Sequence, residues 1–160
     1  MLSKNKPNLE INVHNNVAVT DLPCSVEVIT VSKALLEQAK TLFNTDKSEL
    51  CKVCIILCHT ALEVEVARIE SACLRKKGLT DKLIESFLYQ KTNICKKSSM
   101  KLFELITGKK IADNLNLGAL KKLNTMRNNI IHQGREAKKE DAKDAISVCE
   151  KMLLTLKDFS

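Results

Sequence analysis

The longest helical pattern in this sequence covers roughly residues 47–77, and it limits the possible folds more than any other feature. The run Thr45–Ser48 offers N-terminal caps for such a helix, and Gly78, preceded by two lysines, offers an end. From Val53 to Cys58 every side chain is apolar, so no face of this segment suits contact with water. The sequence therefore predicts a central helix around which other helices pack.

Shorter amphipathic patterns lie on both sides of this segment, each with apolar residues three or four positions apart. They cover roughly residues 32–44, with Ser32 as the expected cap, and 80–91, 98–108, 115–132 and 140–156. Together they predict an all-α, up-and-down bundle of four to five main helices, in one domain of residues 31–160. Residues 1–30 have no helical period and contain β-branched segments, so we expect an irregular N-terminal extension or a short β-hairpin there.

The composition favours an anionic partner but offers little for nucleic-acid bases to stack on. Lysine and arginine outnumber aspartate and glutamate by 26 to 19, which gives a net charge of +7 and a pI of about 9.0. This charge is spread along the chain, as on an ordinary solvated surface. The chain has no tryptophan, one tyrosine and four phenylalanines, whereas proteins that read single-stranded RNA usually stack bases on aromatic rings. If the protein binds RNA, we expect contacts to phosphates and weak sequence reading.

The seven cysteines do not follow the pattern of a disulfide framework. Their number is odd, they are widely spaced and no secretory signal precedes them, so we expect free thiols in a reducing cytoplasm. Cys51, Cys54 and Cys58 would share one face of the central helix. Metal sites rarely take all their ligands from one buried helix, which favours core packing over metal binding. We predict no metal, no cofactor and, because no uncharged apolar run approaches about 18 residues, no membrane span.

Two charged residues fall on apolar helix faces. On a helical wheel with Leu120 at 0°, Arg127 lies at about 340°, inside the apolar arc of its helix. Glu65 lies among apolar side chains of the central helix in the same way. A buried pair of Arg127 with Glu65 would explain both and make Arg127 structural, whereas an unpaired arginine would have to line a cleft. On the central helix, His59 and Glu63 are one turn apart, and we expect them to form a local hydrogen-bonded pair.

A polar ladder follows the edge of the same apolar arc near the C-terminus. Asn124, Asn128 and His132 succeed one another at intervals of four, which brings neighbouring side chains close enough to touch. Gly134 is a suitable C-terminal cap and places His132 in the last turn, where an imidazolium is favoured. The pattern thus gathers an arginine, an amide and a histidine at one helix end.

This arrangement resembles the motif of the HEPN superfamily (higher eukaryotes and prokaryotes nucleotide-binding), in which an arginine and a polar residue are followed, a few residues later, by a histidine. Here four residues separate Arg127 from His132 in the run Arg127-Asn128-Asn129-Ile130-Ile131-His132, and Asn128 is the polar second residue. The glycine and the last amphipathic helix after the motif, and the run Thr60-Ala61-Leu62-Glu63 upstream, are also similar to the family. The resemblance covers about residues 32–160.

The resemblance implies an all-α bundle, commonly dimeric, in which the motifs of two chains face each other across a cleft. Many members are metal-independent endoribonucleases of toxin–antitoxin, defence or RNA-processing systems, often encoded beside a nucleotidyltransferase-like antitoxin. Others bind a nucleotide or a partner protein without catalysis. Residue by residue, the resemblance assigns catalysis to Arg127, Asn128 and His132. Around them we expect substrate-binding Lys121, Lys122 and Arg135, and supporting Asn124, Glu63 and Glu65.

These residues suit RNA cleavage by 2′-OH attack, which needs no metal and gives a 2′,3′-cyclic phosphate and a 5′-hydroxyl. Histidine transfers protons near neutral pH, and the arginine fork holds two phosphate oxygens. On one helix, however, Arg127 and His132 point about 140° apart, and one chain lacks a second proton-transfer group. Pairing about a two-fold axis would bring two copies of each into one cleft, so we expect a homodimer. The alternatives are a non-catalytic HEPN module that binds a nucleotide or a protein, and a plain helical adaptor.

Overall fold

The structure, a computed structural model, describes residues 30–89, 93–110 and 115–159. Within these ranges it contains helices and no strand, which confirms the predicted all-α bundle. The helices are α1 (Val31–Asn44), α2 (Cys51–Lys76), α3 (Asp81–Tyr89), α4 (Lys97–Thr107), α5 (Leu117–Gln133) and α6 (Lys139–Leu156), and 3-10 turns cover Ser48–Leu50 and Lys157–Phe159. The expected N-terminal extension falls, except for Thr30, outside the described residues.

α2 is the central helix that its all-round apolar segment predicts. It packs against α1, α5 and α6, and it also contacts α3 and α4. Its C-terminal end joins those two shorter helices through a small apolar cluster of Leu74, Ile84 and Ile106. None of the described helices combines the length and the apolar character needed to cross a membrane. The core therefore surrounds α2, and every polar side chain on its inner faces requires a partner from another element.

α1 begins one residue earlier than predicted, and its cap differs. Thr30 has extended backbone, and its hydroxyl accepts a hydrogen bond from the Lys33 N–H at 3.4 Å. Ser32 lies inside the helix, where its hydroxyl donates to the Glu65 carboxylate on α2 at 2.6 Å. The predicted cap at Ser32 is therefore wrong, because a buried carboxylate from a distant part of the chain takes that hydroxyl.

The cysteines of α2 are core residues, as their spacing predicts. Cys51, Cys54 and Cys58 are all buried. The Cys54 thiol donates to the Ala39 carbonyl at 3.3 Å, and the Cys149 thiol of α6 donates to the Cys58 carbonyl at 3.4 Å. Burial, with the neighbouring cysteines, raises the pKa of Cys54 to about 11, so this thiol stays neutral. Within the described ranges, no group of three or more ligating side chains could hold a metal ion.

Candidate functional site

α5 carries the predicted motif, and both of its ends are capped. At the start, the Asn116 side-chain oxygen accepts a hydrogen bond from the Ala119 N–H at 3.0 Å. At the end, Gly134 adopts the left-handed conformation with φ 62°, and its N–H donates to the Ile130 carbonyl at 3.1 Å. A residue with a Cβ is strained at this φ, which is why glycine ends the helix here. The prediction that Gly134 places His132 in the last turn is confirmed.

Arg127 is half-buried on α5, and its guanidinium turns towards the neighbouring amide. Its Nη1 donates to Asn128 Oδ1 at 3.1 Å. No carboxylate of the described residues forms an ion pair with it. No described carboxylate therefore neutralises the charge of Arg127, while its position is fixed by an uncharged acceptor. This combination suits a group that receives an external anion.

His132 is exposed and forms no hydrogen bond with any residue that the structure describes. The described residues show no hydrogen bond between His132 and Asn128, whose amide oxygen accepts from Arg127. On a regular helix, Arg127 and His132 are separated by about 7.5 Å along the axis and about 140° around it. One chain therefore does not direct both side chains at one phosphate.

The three basic residues predicted to bind substrate have different surroundings. Lys121 is exposed on α5. Lys122 forms an ion pair with Asp144 of α6 at 3.0 Å, which offsets part of its charge. Arg135 is exposed just after α5, at the rim of a recess of about 170 Å³. Lys121 and Arg135 are therefore better placed than Lys122 to attract a phosphate.

Glu65 is buried, but its partners are not the predicted ones. Its Oε1 accepts from Nε and Nη2 of Arg68 at 3.1 and 2.7 Å, and its Oε2 accepts from the Ser32 hydroxyl at 2.6 Å. Burial raises the pKa of Glu65, but the hydrogen bonds from Arg68 and Ser32, with the charges of Arg68 and Lys33, outweigh it and hold this pKa below its ordinary value. The predicted alternative of a buried Arg127–Glu65 pair is wrong, because an arginine one turn along α2 already occupies the carboxylate.

Asn124 joins α5 to two other parts of the fold. Its Oδ1 accepts from Asn93 Nδ2 at 2.9 Å and lies 3.1 Å from Nε2 of His59, which is buried on α2. The other ring nitrogen of His59, Nδ1, lies 3.4 Å from Glu63 Oε2, but the geometry is not that of a hydrogen bond. The predicted His59–Glu63 hydrogen bond is thus absent, and the imidazole bonds to α5 instead. Of the expected supporting residues, Asn124 contacts this network, Glu63 borders it and Glu65 lies elsewhere.

The sequence does not predict Asn93 as part of this site. Asn93 precedes α4 in a segment without a helical period, and no spacing rule links it to a residue 31 positions away. The available signal is His59, a polar residue on an inner face of the central helix. Such a residue requires a hydrogen-bond partner from another element.

A cavity of about 340 Å³ opens beside this network. Among the described residues that line it are two carboxylates, those of Glu63 and Glu70, and no lysine or arginine. Neither Arg127 nor His132 is one of them. These described residues are Thr60, Glu63, Val64, Ala67, Glu70, Leu88, Asn93 and Ile94.

A partly exposed apolar stripe runs along the outer side of α2. Its members recur every three or four positions and therefore share one side of the helix. Val53 is 38% exposed, and the others are half-buried. Contiguous apolar surface of this kind marks an interaction site more often than isolated exposed residues do. We call Val53, Ile56, Thr60, Val64 and Ala67 the α2 outer stripe.

α5 runs antiparallel to α2, so the motif end of α5 lies near the start of α2, where the α2 outer stripe begins. Asn124 meets His59, and farther along α5 Ile130 shares a recess with Ile55, which is nearer the start of α2. Ile131, next to His132, is itself 45% exposed.

Comparisons with protein-family models, with curated proteins and with solved structures find no match for this chain.

Proposed function

We propose that this protein is a metal-independent endoribonuclease of the HEPN type, with an active site formed between two copies of the chain. It cleaves RNA by attack of a 2′-OH on the adjacent phosphorus and releases a 2′,3′-cyclic phosphate and a 5′-hydroxyl. One observation carries the proposal. Arg127 has no acidic partner among the described residues, is held by Asn128, and lies on the helix that ends with the exposed His132.

The roles follow from the chemistry of each group. Arg127 bonds two oxygens of the phosphate and stabilises the charge that grows on them during attack. Its hydrogen bond to Asn128 restricts the guanidinium before substrate arrives, so less ordering is needed in the complex. One His132 takes the proton from the 2′-OH, and the His132 of the second copy gives a proton to the departing 5′-oxygen. Water exchange with the exposed imidazoles then restores both protonation states.

The second copy is required because Arg127 and His132 of one chain point in different directions. Arg127 and His132 lie on different sides of α5, and the other histidine of the described residues, His59, is buried against Asn124. The α2 outer stripe supplies a mostly apolar surface, which a two-fold axis would bury against its own copy. The dimer thus completes the site and covers the stripe in one step.

Phosphate contacts should hold the RNA, since the chain has few rings on which bases could stack. Lys121 and Arg135 are exposed near the motif and serve this purpose, with Lys122 secondary because Asp144 offsets its charge. Binding through phosphates releases counterions, so cleavage should weaken steeply as salt rises.

The test is a cleavage assay in EDTA on a mixed pool of tRNA and unstructured RNA. The wild type should produce cyclic-phosphate ends, and His132→Ala and Arg127→Ala should each lower the rate by about 10²-fold or more. Gln133→Ala is the matched control, because Gln133 is exposed in the same helix turn but lies outside the motif. Cleavage that requires an added divalent metal, or that survives in His132→Ala, would contradict the proposal.

A subunit-mixing experiment tests the composite site directly. Wild type and His132→Ala are unfolded together and refolded at varied ratios, so that mixed dimers form. If both histidines serve one cleft, a mixed dimer is inactive and an equal mixture keeps about one quarter of the activity. If each chain works alone, the same mixture keeps about one half.

The same assay separates the alternative of a non-catalytic module. A folded, dimeric wild type that cleaves none of these RNAs would favour the non-catalytic module, which binds a nucleotide or a partner protein.

A further inference from the structure

Three polar side chains from separate parts of the chain meet beneath the motif helix. They are His59 of α2, Asn93 of the segment before α4, and Asn124 of α5. His59 is 1% exposed. A buried imidazole is held in place by the hydrogen bonds that it forms with other elements.

The direction of each hydrogen bond in this network can be assigned from one backbone amide. The Cys95 N–H donates to Asn93 Oδ1 at 2.7 Å, which fixes the orientation of the Asn93 amide. Its Nδ2 must then donate to Asn124 Oδ1 at 2.9 Å, so that this oxygen is an acceptor. The same oxygen lies 3.1 Å from His59 Nε2. His59 therefore carries a proton on Nε2 and donates it to Asn124.

This network fixes α5 at the point where its orientation matters for the motif. Asn124 precedes Asn128 by one turn on the same face of α5. Arg127 lies between these two residues in the sequence. Two donors converge on one oxygen of Asn124, so a shift of α5 by one position would break both bonds and turn Arg127 by about 100°. The buried contacts thus determine where Arg127 and Asn128 point.

We propose that His59 and Asn93 are positioning residues that hold Arg127 and Asn128, through Asn124, in the orientation that cleavage requires. The proposal rests on the endoribonuclease function stated above. Neither residue needs to touch RNA, since His59 is buried and both act on the helix that carries the motif.

The assignment of the proton gives a conservative variant. Glutamine places an N–H donor near the position of His59 Nε2, whereas leucine has similar bulk and no donor. The Nδ1 side of His59 makes no hydrogen bond, so its loss in glutamine removes none. His59→Gln should therefore preserve the link to Asn124, and His59→Leu should break it.

The experiment compares kcat and KM of wild type, His59→Gln and His59→Leu at a temperature where all three are folded. His59→Leu should lower kcat by about 10-fold to 10²-fold with KM nearly unchanged, because a displacement of about 1 Å misaligns the reacting groups without removing phosphate contacts. His59→Gln should keep most of kcat. Ser32→Ala is the control, because it removes a buried hydrogen bond on another side of α2 and should leave kcat unchanged.

The outcomes separate this proposal from the one on which it rests. Wild-type cleavage that depends on His132, together with an unchanged kcat in His59→Leu, would overturn the positioning role alone. Absence of cleavage by dimeric wild type would overturn the proposed function and the catalytic meaning of the network with it. The network has its own readout in ¹⁵N imidazole NMR, where a His59 ring without a proton on Nε2 would overturn the assignment whatever the activity.

Discussion

α2 carries two buried polar clusters, and they are built in opposite ways. One cluster is Ser32, Glu65 and Arg68, which we call the Glu65 cluster; the other is His59, Asn93 and Asn124, which we call the His59 cluster. The Glu65 cluster is charged and joins α2 to α1. The His59 cluster consists of amides and an imidazole, and it joins α2 to the segment before α4 and to α5.

The difference shows that a charge on an apolar face is a poor guide to function. Both oxygens of Glu65 accept hydrogen bonds from Ser32 and Arg68, so the Glu65 cluster is complete within itself. The His59 cluster bears no carboxylate or guanidinium, yet it holds the helix that carries the motif. Arg127 differs from Glu65, because no described residue of opposite charge pairs with it.

The largest effect on stability should come from the acceptor that the His59 cluster shares. Asn124→Leu leaves the donors of His59 and Asn93 without an acceptor, and each such loss costs about 1–3 kcal/mol. We expect the free energy of unfolding to fall by about 3 kcal/mol and Tm by about 10 °C. Urea unfolding and thermal scans measure both quantities.

Asn129→Ala is the control for that variant. Asn129 lies on the same helix and is half-buried, and no side-chain hydrogen bond of it occurs among the described residues. If Asn124→Leu were no more destabilising than Asn129→Ala, the His59 cluster would not hold α5, and the contrast with the Glu65 cluster would fail.

A smaller effect distinguishes two arginines that differ in their partners. Arg68→Ala leaves Glu65 buried with only Ser32 as a donor, and we expect a loss of about 2 kcal/mol, moderated because Arg68 is itself 40% exposed. Arg127→Ala removes no ion pair and should cost about 0.5 kcal/mol in stability while it abolishes cleavage. Arg75→Ala, from an exposed pair with Asp81, is the control and should also cost about 0.5 kcal/mol. A Tm of Arg127→Ala below that of Arg68→Ala would indicate that the role of Arg127 is structural.

The sequence predicts the helices well because their periodicity is local. The apolar run of α2, the glycine after α5 and the spacing of the α5 motif all depend on residues within a few turns of one another. The wheel also places Arg127 and Glu65 correctly on inward faces. It gives no information on which residue lies opposite, and the predicted pairing of these two charges is wrong for that reason. Arg68, one turn from Glu65, satisfies a local rule and is the partner found.

The His59 cluster could not be predicted in the same way. Its bonds span 65 and 31 positions, and Asn93 lies outside any helical pattern. Only the packing of α5 against α2 and the path of the chain before α4 bring these side chains together. The catalytic roles of Arg127, Asn128 and His132 remain predictions, which the cleavage assay tests.

The smallest effect concerns the pH dependence of stability, and it isolates the charge of the Glu65 cluster. The pKa of Glu65 is lowered in the folded protein, although burial opposes this, because Arg68 and Ser32 bond to its carboxylate. A carboxylate with a lowered folded pKa stabilises the protein above its unfolded pKa, and this contribution is lost as pH falls through the folded value. Stability of the wild type should therefore decline more steeply below about pH 5 than that of Glu65→Gln.

The matched control for this measurement is Asp46→Asn. The pKa of Asp46 is also lowered, by a hydrogen bond from Lys139, but Asp46 is exposed, so its loss should change the slope less. Asparagine tolerates the left-handed backbone of this residue, with φ 59°, so the substitution adds little strain. Urea unfolding of the three proteins between about pH 3 and pH 7 gives the slopes. Equal slopes for wild type and Glu65→Gln would mean that the carboxylate gains nothing from its partners. The partners of Glu65 would then add no stability to its carboxylate. The two clusters would differ only in that the His59 cluster contacts α5.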